Sequence, residues 1–421
     1  MRFRAMLLLL AALSVASLLP FAHARPQADS VILFIGDGMG PGQIEMTAGA
    51  VGHPLAMQKM PYSGTVTTLS VHGRVTDSAA ASTALATGHK AENGVISVSP
   101  DGKSYETILE RCLQSHKTAG VITTDALWGA TPAGFGAHAP TRGQKASIAL
   151  QMAESRAQVM MGYSQDQLLP KSAGGKREDG KDLIAWLEKA GYAVVYTRDE
   201  LLKEKNQKVV GLFHDGAQAP RIADMVSAAL DRLATNASGF FLVVEGARVD
   251  WASHESDPLG AFLETRDLDE AVAEAVKFAQ KRGGTLVLVT ADHETGGLQV
   301  EAPSRLPALG RAKGTIGEIA SRLNADRTNV QQVMAEYAGI TDLTAQEIER
   351  IKQAKEAGPV IGSLLSERAG VRWTSEGDHT ATPVRVFAFG PGAERFAGEM
   401  DNTDIPRRIA EALGIGPFPK P

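Results

Sequence analysis

Several short stretches are rich in Val, Ile, Leu and Phe and then stop at acidic or glycine-rich loops: VILFIGDG (31–38), AGVITTDA (119–126), GFFLVVEGARVD (239–250) and TLVLVTADHE (285–294). Continuous apolar runs of this length predict strands buried on both faces. Between them the apolar positions change to helical spacing, as in KASIALQMAES, KDLIAWLEKAG, RIADMVSAALDRLA and DLDEAVAEAVKFAQKRG. This alternation predicts an α/β fold, a three-layer α/β/α sandwich around a central, largely parallel sheet. Ligands are then expected outside the carboxyl ends of the strands.

The rhythm breaks at about residues 301–370, where Pro303, Pro307 and charged helical segments such as LTAQEIERIKQAKEAG carry no strand-to-acid pattern. That region is expected to be an insertion subdomain. Sheet character returns in PVRVFAFGPG (383–392), and TDIPRRIAEALG predicts a closing helix with Pro406 in its first turn. At the other end, residues 1–24 combine two arginines, an apolar run and the small-residue end Ala22-His23-Ala24. This is the pattern of a secretory signal peptide cleaved near Ala24, leaving residues 25–421 as a periplasmic or secreted catalytic domain with no membrane span.

Composition narrows the function classes. Lys and Arg number 43 against 48 Asp and Glu, a net charge of −5, and the basic residues are scattered. An electrostatic nucleic-acid surface is not expected. Cys112 is the only cysteine, so no intrachain disulfide forms, and its place in the helical pattern TILERCLQSH predicts a buried structural thiol.

The chemistry collects at the ends of the apolar runs and in the segment before the last one. Asp37 follows the first run; Glu245, Asp250 and His254 follow another; Asp292, His293 and Glu294 a third; Asp378 and His379 precede the final run. Carboxylates gathered in one cleft repel one another and stay ionised only beside bound cations. Mixed Asp/His sets suit zinc, whereas carboxylates with a hydroxyl and waters suit magnesium. Asp250 and His254 stand four apart, so both reach one ion if the segment is helical. Metal would also activate a hydroxyl in the unusually small-residue stretch TDSAAAST (76–83), led by Ser78, because coordination lowers a hydroxyl pKa. Ser82 and Thr83 are rival hydroxyls, better read as packing or backbone-bonding groups.

The motifs VILFIGDGMG, VTDSAAAST, ATPAGFGAHAPTR, VEGARVDWASH, TADHETGG and EGDHT together resemble those of the alkaline phosphatase family, in family order over nearly the whole mature chain. The resemblance implies a metal-dependent phosphomonoesterase that acts through a phosphoserine at Ser78. It implies two Zn2+ and one Mg2+ per chain. One zinc falls to Asp37, Asp292 and His293, the other to Asp250, His254 and His379, and magnesium to Asp37, Thr131 and Glu245. Arg142 becomes the phosphate clamp, its planar fork matching two phosphoryl oxygens, and Trp251 a substrate contact. A homodimer acting on phosphate monoesters and releasing inorganic phosphate is implied as well.

The chain departs from the family pattern in three places. Gly129 stands where better-studied members carry Asp or His two residues before the magnesium threonine, Trp251 where some carry Lys or His, and Ser82 where Gly or Ala is usual. Fewer charged contacts to phosphate and a looser magnesium site are expected. Asp77 is expected to orient the serine loop through Arg142, and His138 to pack or hydrogen-bond. Glu294 and Asp257 are open between supporting the histidines and lying at the surface. A phosphodiesterase or sulfatase of the same superfamily, and a noncatalytic exported metal- or phosphate-binding protein, are the rival readings.

Overall fold

The computed structural model describes residues 27–419; the expected signal peptide lies outside the described residues. The strands are β1 (Ser30–Gly36), β2 (Tyr62–Thr67), β3 (Thr118–Ala126), β4 (Val159–Tyr163), β5 (Ala193–Val195), β6 (Val209–Phe213), β7 (Phe240–Gly246), β8 (Thr285–Thr290), β9 (Glu294–Thr295), β10 (Gln299–Val300), β11 (Val371–Arg372), β12 (His379–Thr380), β13 (Val384–Phe389) and β14 (Gly398–Asp401). Ten of them form one sheet in the order β14-β2-β13-β8-β1-β7-β3-β4-β6-β5. Only β13 opposes its neighbours, β8 and β2, and helices cover the sheet. The observed architecture is the expected α/β/α sandwich.

The central strands are buried along their whole length because they are apolar throughout. Every residue of β1, β7 and β8 is buried, and each fully buried Val, Leu, Ile or Phe contributes roughly 1.5–3 kcal/mol. Register then decides where the chemistry stands. Ile35 of β1 pairs with Glu245 of β7 and with Thr290 of β8, and Thr123 of β3 pairs with the same Glu245. The carboxyl ends of four adjacent strands are therefore level, and the acids that follow them emerge at one edge.

Residues 301–370 contribute no strand to the large sheet. They contain the helices Ile316–Ser321, Val330–Val333, Ala345–Gln353 and Ala357–Ala369. Their apolar residues, Leu306, Ile319, Met334, Ile361 and Leu365 among them, gather with Met46 and Phe262 into a second hydrophobic core. Antiparallel pairing of β10 with β11 joins the two ends of this segment.

Candidate active site

Ser78 is the first residue of the Ser78–Thr87 helix, all ten residues of which are buried. Small side chains make that burial possible, Ala79, Ala80 and Ala81 among them, and the helix lies against the Ala130–Gly136 helix. At the crossing, a Cβ on Gly134 would fall 2.5 Å from Ser82 Oγ. The Ser82 hydroxyl donates to the carbonyls of Ala130 (3.0 Å) and Ala79 (3.1 Å), so it fastens one helix to the other rather than disturbing the first. Asp77 caps the helix by accepting from Ala80 N at 2.9 Å, and it also accepts from Gly94 N and from Arg142.

The Ser78 hydroxyl faces His293, its Oγ 3.4 Å from Nε2. The neighbours of this fully buried imidazole define its proton. Thr295 Oγ1 gives its hydrogen to Asp250 Oδ1 at 2.6 Å, so it can only accept from His293 Nδ1, 3.2 Å away. Nε2 of neutral His293 is thus a bare lone pair, and it points at Asp292 Oδ2 (3.2 Å) and Asp37 Oδ1 (3.5 Å). Three acceptors face one another, and both carboxylate oxygens are buried without a hydrogen-bond partner. Such an arrangement calls for a cation.

A second such cluster adjoins it. The Arg248–His254 helix follows β7 and brings Asp250 Oδ2 and His254 Nε2 to 3.1 Å. His254 Nδ1 donates to the Gly377 carbonyl at 2.5 Å and His379 Nδ1 to the Thr76 carbonyl at 2.9 Å. Both Nε2 atoms are left facing inward, 3.3 Å apart, with Asp250 Oδ1 3.6 Å from that of His379. The ligand atoms of Asp250, His293 and His379 lie within 4.8 Å of one another, as do those of Asp37, Asp292 and His293. His293 therefore stands between the two clusters, and His254 at the more open side of the second.

The electrostatics without metal have the same cause. Burial and then the neighbouring Asp292 raise Asp37 well above the ordinary carboxylate range. Burial and then Asp250 push Asp292 up to about 7, and burial lowers His293 to about 4. Burial also works to raise Asp250, but His254, His293 and Thr295 outweigh it and bring it to about 2. In turn Asp250 draws a proton onto His254 and raises its pKa. Gly38 makes the crowding possible: its φ is +70°, and a Cβ there would lie 2.8 Å from Asp250 Cα.

An oxygen-only group lies beside these two. Glu245, at the end of β7, accepts from Thr123 Oγ1; burial and then the charge of Asp125 push it up to about 8. Thr131 Oγ1 is close enough to this carboxylate to help hold its pKa down, yet it is buried and makes no hydrogen bond of proper geometry.

Comparison with known proteins decides what this constellation belongs to. The family model described as alkaline phosphatase matches residues 28–415. The chain belongs to the alkaline phosphatase family. Alkaline phosphatase 4 of Bacillus subtilis (strain 168) is 35% identical, over 93% of this chain and 90% of that protein. The crystal structure of Thermus thermophilus alkaline phosphatase superposes with a TM-score of 0.82 at 27% identity, covering 93% and 92% of the two chains. A histidine-to-glutamate variant of the alkaline phosphatase from the Antarctic bacterium TAB5, described with Mg bound in its M3 site, superposes with a TM-score of 0.71 at 26% identity, covering 93% and 99%. As a member of the alkaline phosphatase family, the chain is a metal-dependent phosphomonoesterase.

The other residues singled out in the sequence of this alkaline phosphatase family member have defined surroundings. Arg142 is about half exposed, held by Asp77 and by its own N–H donating to the Gly94 carbonyl at 2.7 Å. Trp251 shares a helix with Asp250 and His254 but stands 47% exposed, with the Arg248 guanidinium 5.9 Å from its ring. His138 bonds Ser97 O and Glu110. Glu294 and Asp257 are both buried and bond groups other than the histidines: Glu294 accepts from Leu298 N and Thr380 Oγ1, and Asp257 caps the Pro258–Arg282 helix and accepts from Ile316 N at 2.7 Å. Burial lifts the Cys112 thiol to about 12, which makes it unreactive. Sequence reasoning missed Thr295, Thr123 and Asp125. The first stands two residues beyond His293 in TADHETGG, and the other two lie in the TTDA end of β3, where they read as ordinary strand and turn residues.

Proposed function

We propose that the chain hydrolyses phosphate monoesters through a covalent phosphoserine at Ser78, with two Zn2+ and one Mg2+ bound per chain. The placement of Ser78 carries the reading: a hydroxyl at the N-terminus of a buried ten-residue helix, 3.4 Å from a histidine that itself faces two unpartnered carboxylate oxygens. Zn2+ at Asp37, Asp292 and His293, Zn2+ at Asp250, His254 and His379, and Mg2+ at Asp37, Thr131 and Glu245 would lower the Ser78 hydroxyl pKa and neutralise charge on the transferring phosphoryl group. Magnesium in the M3 site of the TAB5 variant supports the third of these assignments.

Each protein group then has a defined task. Ser78 Oγ forms a bond to phosphorus as the bond from phosphorus to the substrate's alcohol oxygen breaks, releasing the alcohol. The forked guanidinium of Arg142 binds two phosphoryl oxygens, and the free amides at the start of the helix favour the same negative charge. Asp77 keeps both the helix and the guanidinium in place. Trp251 offers an aromatic face to the substrate's organic part. Water oxygen then replaces Ser78 Oγ on phosphorus, and inorganic phosphate leaves. In this reading the mature domain begins near Arg25, is exported, carries residues 301–370 as an inserted subdomain and works as a homodimer.

The deciding experiment is an acid quench after brief incubation with a labelled phosphomonoester, alongside metal analysis of the purified protein. Label on Ser78, its absence from Ser78→Ala, and two zincs with one magnesium per chain are expected. Turnover without label on Ser78 would refute the covalent mechanism.

A further inference from the structure

Gly129 is the N-cap of the Ala130–Gly136 helix that carries Thr131. A Cβ at this position would lie 2.8 Å from Asp125 Oδ2, closer than bonded neighbours aside such atoms approach. A side chain at 129 would push the Asp125 carboxylate out of this place. The glycine lets an acid four residues earlier fill the space beside the start of the helix.

The strand aims Asp125 there. The register of β3 against β4 shifts between Ile122 and Ala126, and such irregularities redirect side chains at the rims of sheets. Thr123 uses its hydroxyl twice at this point, donating to Glu245 and accepting from Asp125 N at 2.8 Å, so the two acids are braced by one residue. Asp125 is half-buried, and among the described residues no basic side chain is in ion-pair contact with it. Thr131 Oγ1, 1% exposed, is the unpartnered donor-acceptor beside the pair. Two carboxylates and a hydroxyl, with no nitrogen or sulfur, match the preference of Mg2+ over Zn2+.

We propose that Asp125 is a further carboxylate of the Glu245–Thr131 cation site, supplied from the irregular end of β3 because residue 129 has no side chain, and that it biases this site toward Mg2+. The inference rests on the third-metal assignment made above and adds to it the source of the missing charge.

The test is Mg2+ titration of the zinc-loaded, full-length protein by calorimetry, with Zn and Mg content measured on the same samples. Asp125→Asn is expected to weaken Mg2+ binding about 10- to 100-fold while zinc content is unchanged. Gly129→Ala is expected to do the same, because the added methyl displaces the carboxylate, and Asp125→Ala with Gly129→Asp to recover much of the affinity. Wild-type Mg2+ affinity in Asp125→Asn overturns the proposal. Glu245→Gln separates the two readings: loss of Mg2+ there with none in Asp125→Asn leaves the third site standing and removes Asp125 from it, whereas a wild-type protein that takes up no Mg2+ overturns both. Should Asp125→Asn fail to fold by circular dichroism, Gly129→Ala against wild type makes the same decision.

Discussion

Arg142 Nη1 donates to Asp77 Oδ2 at 3.2 Å, and Asp77 is the residue that caps the helix beginning at Ser78. One carboxylate thus sets the distance between the proposed nucleophile and the proposed phosphate clamp. Arg142→Ala is expected to lower kcat/KM on the order of 10²-fold, the scale for losing one preorganised charge-stabilising group. Arg142→Lys should recover little of it, since an ammonium lacks the fork. A lysine variant within about threefold of wild type would show that charge alone matters at this position.

The same carboxylate has a measurable structural share. Asp77→Ala is expected to cost about 1 kcal/mol of stability through the lost N-cap, whereas Asp77→Asn keeps an acceptor oxygen and most of the stability. Denaturant unfolding of the two variants checks this. Equal losses in both would mean that the pairing with Arg142, and not the cap, stabilises the loop.

Metal dependence and pH dependence are linked through Asp37, Asp292 and Glu245. Without metal their pKa values lie above the ordinary carboxylate range, at about 7 for Asp292 and about 8 for Glu245. The folded apoprotein therefore holds protons that the unfolded chain has released, so the stability these groups contribute is complete at low pH and declines as pH rises through their folded pKa values. His293, lowered from 6.5 to about 4, acts in the opposite sense only below 6.5. Between roughly pH 6.5 and 8 the apoprotein Tm should fall with rising pH, and Zn2+ with Mg2+ should raise it by an amount that grows over that window. Proton release on metal binding, read from calorimetry in buffers of different ionisation heat, is the direct check. A metal-induced Tm increase independent of pH would contradict it.

Ser82 and Gly134 test how the serine helix is fixed. Ser82→Ala removes the hydroxyl that donates to Ala130 O and is expected to cost about 1 kcal/mol. Gly134→Ala places a methyl 2.5 Å from Ser82 Oγ and should cost about 1–3 kcal/mol through overpacking. Adding Ser82→Ala to Gly134→Ala should relieve part of that cost. Additive losses in the double variant would show that the two helices do not compete for the same space.

Trp251 is exposed, so its replacement by Ala should leave the thermal midpoint within about 1 °C of wild type. The expected effect is a higher KM for aryl phosphates, with kcat and the KM for a small alkyl phosphate unchanged. A fall in kcat for both substrates would assign Trp251 to shaping the Asp250–His254 helix rather than to substrate contact.

The parts of the fold that were legible are those where burial on two faces leaves no alternative to apolar residues. β1, β3, β7 and β8 follow from their runs, and the acids at their ends are legible because hydrophilic side chains directly after such runs have one place to go, the carboxyl edge of the sheet. β2 and β5 were not legible: YSGTVT is half exposed and AVV is three residues long, so neither carries a distinctive pattern. VMMGY and VVGLF are apolar, but each is only five residues long and is easily absorbed into neighbouring helical patterns. Thr295 and Asp125 escaped notice for a different reason. Their importance comes from what folds against them, a hydroxyl that sets the proton on His293 and a carboxylate admitted by a glycine, and neither relation has a local signature.

Pairing of Gln299–Val300 with Val371–Arg372 has a further consequence. Residues 301–370 leave and return through adjacent strands, and between these two stems they rest on the remainder of the chain through the second core around Met46 and Phe262 and through the Ile316 N–H that Asp257 accepts. For a flexible excursion, each doubling of length costs about 0.6 kcal/mol in closure entropy. Lengthening the loops between the helices of this segment therefore costs little and, with the two stems paired, leaves His379, a few residues beyond the returning stem, delivered to the same spot.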